Sequence, residues 1–289
     1  MILTLGVGSG FHGAGPLRTG GDGRGLPTIG AAFVAESGFM QSARALPSLH
    51  PIFVQGEQLT WEVSYLTIKL GSISTRVLGI DTVRGRIHVR AECLIRSYKG
   101  VPFVTLHTLF QSTMNDSLAS VSFATREHIS DTTNKYINYT YGRRYDVMYI
   151  SERVGSTPVP ENYDTLSLDG KRWQDGLSLL FFARARARTK ALDHVPVIIY
   201  RTKATTTIHN TVAVDAIDID AVSYPVRTVK IDGDTGFTGI FGLTGGFEGW
   251  FSDDAAGVPI KAKMHVILGS VTIELIRWKR PGWGPPRAS

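Results

Sequence analysis

The chain has 289 residues and 43% of them are hydrophobic, which is enough to bury the core of one large domain or two small ones. It contains no run of about 18 apolar residues, so no membrane-spanning helix is expected. The formal net charge is +6, but the basic residues are scattered, which indicates a solvated basic surface rather than a nucleic-acid-binding patch.

The chain begins with a glycine-rich leader that has no periodic hydrophobic pattern. Residues 1–30 hold ten of the 31 glycines, a composition that cannot bury enough apolar surface to fold. Residues 8–13 match the dinucleotide-binding pattern G-x-G-x-x-G, but Gly15 and Pro16 follow where that site requires a helix. No cofactor is therefore expected, and we interpret residues 1–49 as a disordered leader or a displaced export signal.

Some features of the leader favour the export signal. Arg18 and Arg24 precede a mildly apolar stretch at residues 26–35, and Ala-Arg-Ala at residues 43–45 is similar to a small-x-small cleavage site. The acidic Glu36 and the weak apolarity count against it. The prediction is a periplasmic or otherwise exported protein, with a cytoplasmic location as the alternative.

From residue 53 onward, apolar and polar residues alternate with the period of a β-strand. Leu59, Trp61 and Val63 share one face of the first strand, and residues 87–93 place Cys93 on the apolar face of another. The lone cysteine excludes an internal disulfide and a cysteine-rich metal site, and we interpret it as a small core residue. Strand-like runs recur every ten to fifteen residues between Gly, Asn or Asp, which favours antiparallel hairpins.

One segment has helical rather than strand periodicity. Trp173, Leu177, Leu180 and Phe181 recur at helical spacing, and Asp175 stands where an N-cap is expected. The pattern predicts a helix over residues 176–187.

Three arginines, Arg184, Arg186 and Arg188, lie at the end of this predicted helix. On a helix they point in different directions, which favours a solvated helix end over a phosphate clamp. One of the three could instead pair with a carboxylate of the sheet.

The second half returns to strand periodicity. Strand-like patterning resumes at residues 196–207, and residues 211–221 and 223–231 resemble a hairpin. Residues 232–236 start like a calcium loop but lack its later ligands, so the Asp-Gly pair predicts a turn. The final ribbon precedes a proline-rich segment, residues 281–289, which we expect to be a flexible tail.

The sequence contains no set of residues that assembles a recognisable active site. There is no nucleophile elbow and no paired-histidine metal spacing, so neither metal nor catalysis is expected. Asp253 and Asp254 are the best acidic candidates, because two carboxylates can share acid–base work. The simpler interpretation is a turn in which their side chains bind nearby backbone N–H groups.

Three segments, in order, resemble the bacterial family catalogued as domain of unknown function 3108. That family has the pattern F-x-x-G-E-x-L-x-Y early, D-x-L-S-x-x-(Y/F)-x-x-R centrally and S-x-D-x-x-x-x-P late. The matching positions of this chain, with the neighbouring Asp253, are Gly56, Glu57, Asp175, Ser178, Arg184, Ser252, Asp253, Asp254 and Pro259. The resemblance covers about residues 50–276, and Trp61 departs from the usual tyrosine.

This resemblance implies an exported, β-rich envelope protein with no assigned reaction, and the matching residues are interpreted as structural. Together with the patterns it predicts a single antiparallel sheet over residues 50–280, curled or open-barrel-like, with one short helix packed against it. The predicted function is non-catalytic binding of a hydrophobic ligand, such as a lipid, or of an envelope partner. The alternatives are an assembly factor acting through its surface and a hydrolase using Asp253 and Asp254. The oligomeric state is not predicted.

Overall fold

The computed structural model of this chain describes residues 50–101, 105–142, 144–237, 245–265 and 269–289. The predicted leader, with its dinucleotide-like motif and its proposed export signal, lies outside the described residues.

The described residues form fourteen strands and one helix. The helix α1 spans Gly176–Arg186. The strands in chain order are Gln58–Tyr65 (β1), Ile68–Val83 (β2), Arg86–Ser97 (β3), His107–Asn115 (β4), Ser120–Ser130 (β5), Thr133–Tyr141 (β6), Val147–Val154 (β7), Asn162–Ser167 (β8), Ala191–Ile199 (β9), Thr202–Ile217 (β10), Val226–Asp234 (β11), Gly246–Ser252 (β12), Pro259–His265 (β13) and Ser270–Lys279 (β14).

All fourteen strands belong to one sheet, in the order β8-β7-β6-β5-β4-β3-β2-β1-β14-β13-β12-β11-β10-β9. Each half is an antiparallel meander, and the pairing of β1 with β14 joins the two halves. Strands β8 and β9 are the two edges, so the sheet is not closed. The predicted single antiparallel sheet, curled without closure, is confirmed.

The helix connects the two edges of the sheet and packs against β3, β4 and β9. It is fixed at its start by a capping box, in which Asp175 accepts hydrogen bonds from the backbone of Leu177 and Ser178. Its side chains Leu177 and Phe181 are buried in the same core as Ile52 and residues of β2 and β3. The predicted packing of one short helix on the sheet is also confirmed.

The structure defines one turn in the second half and corrects another. The strand-like stretch at residues 196–207 lies in the hairpin of β9 and β10, which turns at Tyr200 with a φ of 56°. The expected Asp-Gly turn is wrong, because Asp232 and Gly233 lie within β11. A Cβ at Gly233 would lie 2.0 Å from the carbonyl oxygen of Thr207, so glycine permits close strand approach there instead of a turn.

The proline-rich end of the chain is tied to the sheet, which revises the expected flexible tail. The backbone N–H of Arg227 donates to Pro286 at 2.7 Å, and the backbone N–H of Ala288 donates to Pro225 at 2.8 Å. These bonds add an isolated antiparallel bridge between Val226 and Arg287. Composition predicted mobility, whereas backbone pairing orders this segment. Within the described residues, no helix has the length and apolar character that crossing a membrane requires.

Candidate functional site

The curled sheet encloses a cavity of about 380 Å³. The lining residues come from α1 and from every strand except β7 and β8, so both halves of the sheet contribute to the wall. A volume of this size lies at the lower end of the range of small-molecule sites. The cavity is therefore a concave site of a size that can hold a small apolar ligand.

Strand register explains why the lining is continuous. Cross-strand partners share a face of a sheet, and Trp61 pairs with Ile73, which pairs with Ile95. On the other half, Ile273 pairs with Ala262, which pairs with Gly249. All six residues line the cavity. The wall is thus the apolar face of the alternating pattern, carried from strand to strand.

Several large apolar side chains of the wall are only half-buried. They include Phe110 and Phe123, whose rings stack with centroids 5.7 Å apart, and also Leu180, Phe247 and Ile273. These side chains face the cavity instead of packing fully against protein atoms. Covering such surface with an apolar molecule is favourable by about 25 cal/mol per Å² removed from water. The cavity wall is therefore suited to an apolar ligand.

The described wall residues carry no uncompensated charge. Lys261 is paired with Glu274, with 2.6 Å between Nζ and Oε2. Burial raises the pKa of the Cys93 thiol to about 12, so this group is neutral at ordinary pH. The Thr206 hydroxyl donates to the carbonyl oxygen of Thr235 at 2.7 Å. The site thus favours an uncharged apolar group.

Two of the residues singled out by motif, Glu57 and Arg184, form a buried polar junction together with Arg280. Arg184 donates to both carboxylate oxygens of Glu57, with Nη1–Oε1 and Nη2–Oε2 distances of 2.7 and 3.1 Å. Arg280 Nη1 also donates to Glu57 Oε2 and, at 3.1 Å, to the carbonyl oxygen of Ile52. The carboxylate expected for one of the helix-end arginines is Glu57, at the entry to β1.

The other two arginines of that run have acidic partners as well. Arg186 Nη2 lies 3.1 Å from Oδ1 of Asp193, and Arg188 Nε lies 3.1 Å from Oδ1 of Asp253. Their carboxylate partners lie on different elements, so the run forms three separate ion pairs and no shared phosphate clamp.

At the opposite end of the helix, Asp175 is a fully buried carboxylate whose oxygens are occupied. Its Oδ1 accepts from the backbone N–H groups of Leu177 and Ser178, both at 2.8 Å. Its Oδ2 accepts from the hydroxyls of Ser112 at 2.7 Å and Ser120 at 2.6 Å. Desolvation, only partly opposed by these donors, raises the carboxyl pKa. Asp175 thereby links the helix start to β4 and β5.

The turn at residues 252–257 joins the polar junction from the other side. Asp254 Oδ1 accepts from the Ser252 hydroxyl at 2.8 Å and from the backbone N–H of Ala256 at 2.9 Å. Its Oδ2 accepts from the Trp283 indole N–H at 2.7 Å. A Cβ at Gly257 would lie 2.7 Å from the carbonyl oxygen of Arg184, and its φ is 50°. The turn therefore rests directly on the helix backbone.

The acidic pair shows no arrangement for hydrolysis. Asp253 is held between Arg188 and Arg227, with Nε of Arg227 2.7 Å from its Oδ2, while Asp254 bonds within its own turn. Neither residue lines the cavity. Among the described residues, no group of three His, Cys, Asp or Glu side chains is placed to hold a metal ion.

Among the nine motif residues, Pro259 alone is part of the described cavity wall, and its carbonyl oxygen accepts from the Trp61 indole at 2.7 Å. Gly56 provides a φ of 79° just before Glu57. The sequence reasoning missed lining residues such as Phe110, Phe123 and Phe247. Their apolar alternation was visible, but alternation does not tell which strand face meets the cavity.

Comparison with known proteins identifies the fold and no family. No family model matches the chain, and no curated protein matches it. The resemblance to domain of unknown function 3108 is therefore not confirmed. The fold is similar to a β-barrel-like protein of domain of unknown function DUF1849 from Brucella abortus, with a TM-score of 0.50 and 9% identity over 78% of this chain and 98% of that chain.

Two further solved structures are weaker matches. An exported-protein candidate with a YmcC-like fold from Bacteroides fragilis has a TM-score of 0.34 and 10% identity, over 78% of this chain and 97% of that one. A lipoprotein candidate from Parabacteroides distasonis has a TM-score of 0.33 and 10% identity, over 80% of this chain and 100% of that one. The chain is therefore similar in fold to a β-barrel-like domain of unknown function.

Proposed function

We propose that this chain is a non-catalytic envelope protein that holds an apolar, lipid-like ligand in the cavity of its curled sheet. The observation that carries the proposal is the set of half-buried apolar side chains around a cavity of about 380 Å³. A wall of this kind gains free energy when an apolar molecule covers it. A sheet interior filled completely by side chains would have argued against such a ligand.

The polar junction and the helix cap support this proposal because they hold α1 in a fixed position. They fix one end of α1 to the entry of β1 through Glu57 and the other end to β4 and β5 through Asp175. A helix held at both ends keeps the cavity preformed, and a preformed site loses less conformational entropy when it binds.

A binding assay tests the proposal directly. Purified protein is titrated with N-phenyl-1-naphthylamine, an uncharged probe whose emission rises in an apolar site. Ala262 lines the cavity, so Ala262→Phe introduces a ring into the space and should weaken binding at least about tenfold. Ala213 is exposed on β10, so Ala213→Phe is the matched control and should bind like the wild type. Equal binding by both variants, or none by the wild type, would count against the cavity as a ligand site.

The envelope location is a separate part of the proposal, and it rests on the leader composition and the sequence resemblance. Native mass spectrometry of protein recovered from an envelope fraction would show the mature N-terminus and any co-purifying lipid together. We expect a chain cleaved near residues 43–45. Recovery from the cytoplasm of a chain that retains residue 1 would overturn the export proposal.

An assembly factor acting through its surface remains the second candidate, and one observation favours it. The edge strand Asn162–Ser167 is exposed along most of its length, and Tyr163 is 73% exposed. An open edge can add a strand from a partner. Capture of a partner that is lost when Thr165→Pro disrupts this edge, with ligand binding unchanged, would support this function over lipid binding.

A further inference from the structure

One polar group of the cavity wall lacks a partner. Thr125 lies on β5, is 4% exposed and lines the cavity between its cross-strand partners Phe110 and Ile137. Its hydroxyl is buried, and no atom of the described residues forms a hydrogen bond with it. A buried hydroxyl without a partner is destabilising, and such groups are uncommon in folded proteins.

The unpaired hydroxyl of Thr125 differs from that of Thr206, a second buried threonine of the wall. Thr206 is 2% exposed and also lines the cavity, yet its hydroxyl donates to the carbonyl oxygen of Thr235 at 2.7 Å. The wall can therefore satisfy a threonine internally, but it does not do so at Thr125. Rotation of χ1 by about 120° moves Oγ1 to the position held by the methyl group and the methyl group to the position held by the Cβ hydrogen. Such a rotation redirects the hydroxyl without any backbone movement.

We infer that Thr125 hydrogen-bonds a neutral oxygen of the ligand, so that the cavity selects an apolar molecule carrying an uncharged hydroxyl or ester oxygen. This inference rests on the proposed function and specifies the chemistry of its ligand. A hydroxyl both donates and accepts, so it can pair with either group. A carboxylate fits less well, because the nearest cation of the wall, Lys261, is already paired with Glu274 and a buried charge needs its own partner.

Three probes of similar length separate this hydrogen bond from simple apolar burial. They are 1-decanol, methyl nonanoate and decane, each measured by displacement of N-phenyl-1-naphthylamine from the full chain. Thr125→Val keeps the shape of the side chain and removes the hydroxyl. Thr125→Ser is the matched control, because it keeps the hydroxyl and removes the methyl group.

We expect Thr125→Val to lose about 3- to 10-fold in affinity for 1-decanol and methyl nonanoate, which is the range for one neutral hydrogen bond. The same variant should bind decane at least as tightly as the wild type. Thr125→Ser should retain the wild-type preference for the oxygenated probes over decane. Urea unfolding of both variants verifies that they are folded before binding is compared.

Two results would overturn the inference and leave the proposed function standing. One is unchanged affinity of Thr125→Val for all three probes, and the other is an equal loss for all three, which would indicate a role in shape alone. Failure of the wild type to bind N-phenyl-1-naphthylamine or any of the three probes would be different, because it would remove the proposed function itself.

Discussion

The cavity and the polar junction both adjoin α1, but their side chains are satisfied in opposite ways. In the junction, Glu57 receives hydrogen bonds from two arginines, and the neighbouring carbonyl of Ile52 accepts from the second. In the cavity, large apolar side chains such as Phe110 and Phe247 remain half-buried. One region uses almost all of its bonding capacity within the chain, and the other leaves apolar surface uncovered.

Because of this difference, we expect the junction to contribute mainly to the stability of the fold and the cavity to contribute mainly to ligand binding. A buried charge must be paired within the protein, so the junction fixes the positions of α1, β1 and the turn at residues 252–257. A half-covered apolar wall stabilises the fold less, but it can gain free energy from a ligand. The motif residues then belong to the framework, and the binding surface is made of residues that form no motif.

Removing the charge at the centre of the junction should give the largest effect. Glu57→Gln leaves Arg184 and Arg280 without a counter-charge in a buried site, which should lower the free energy of unfolding by about 3–5 kcal/mol. Urea denaturation measures the change. The control is Glu62→Gln on the adjoining strand β1, whose partner Lys69 is 65% exposed and which should cost much less stability. Equal losses in the two variants would remove the distinction between framework and surface.

Truncating one isoleucine of the closed apolar core and one of the cavity wall should give a smaller and graded effect. Ile260 on β13 is fully buried, so Ile260→Ala should lower the free energy of unfolding by about 2–5 kcal/mol. Ile273 on β14 is half-buried and lines the cavity, so Ile273→Ala should cost only about 1–2 kcal/mol. Thermal or urea unfolding compares the pair. A larger loss at Ile273 would mean that the cavity wall is packed as tightly as the core.

The smallest effect is expected from chemical labelling of Cys93, whose side chain lines the cavity. Burial raises its pKa from 9.0 to about 12, so at pH 8 the reactive thiolate is on the order of a thousandfold rarer than in the unfolded chain. Because the thiol loses its proton only as pH approaches this pKa, labelling of the folded protein by an apolar maleimide should accelerate with rising pH. Mass spectrometry follows the rate, with protein in urea as the control. Labelling equally fast at pH 8 with and without urea would show that this side of the wall is open.

Much of the fold was predictable because strand and helix periods are local properties of the chain. Leu59, Trp61 and Val63 alternate visibly, and Asp175 precedes a helical stripe, so β1 and the start of α1 were both predicted. The Asp-Gly pair at residues 232–233 misled, because close contact between two backbones selects glycine as strongly as a turn does.

Only the apolar character of the candidate site could be predicted from the sequence, and the residues that line it could not. A curled sheet with many aromatic residues favours an apolar ligand, but strand alternation does not distinguish the face that meets the cavity from the face that meets solvent. The sequence did not single out Thr125, because only the folded structure shows whether a hydroxyl has a hydrogen-bond partner. The proline-rich tail likewise gave no sign of its bonds to Pro225 and Arg227.

The sequence alone determined that the body is an antiparallel β structure with one capped helix, because both features depend on residues within a few positions of each other. Tertiary structure decided that β1 pairs with β14 and that Glu57 meets Arg184, 127 residues away. It also decided that twelve strands and α1 surround a cavity. Such contacts form when distant segments gain free energy by burying one another, and no local pattern encodes which segments those are.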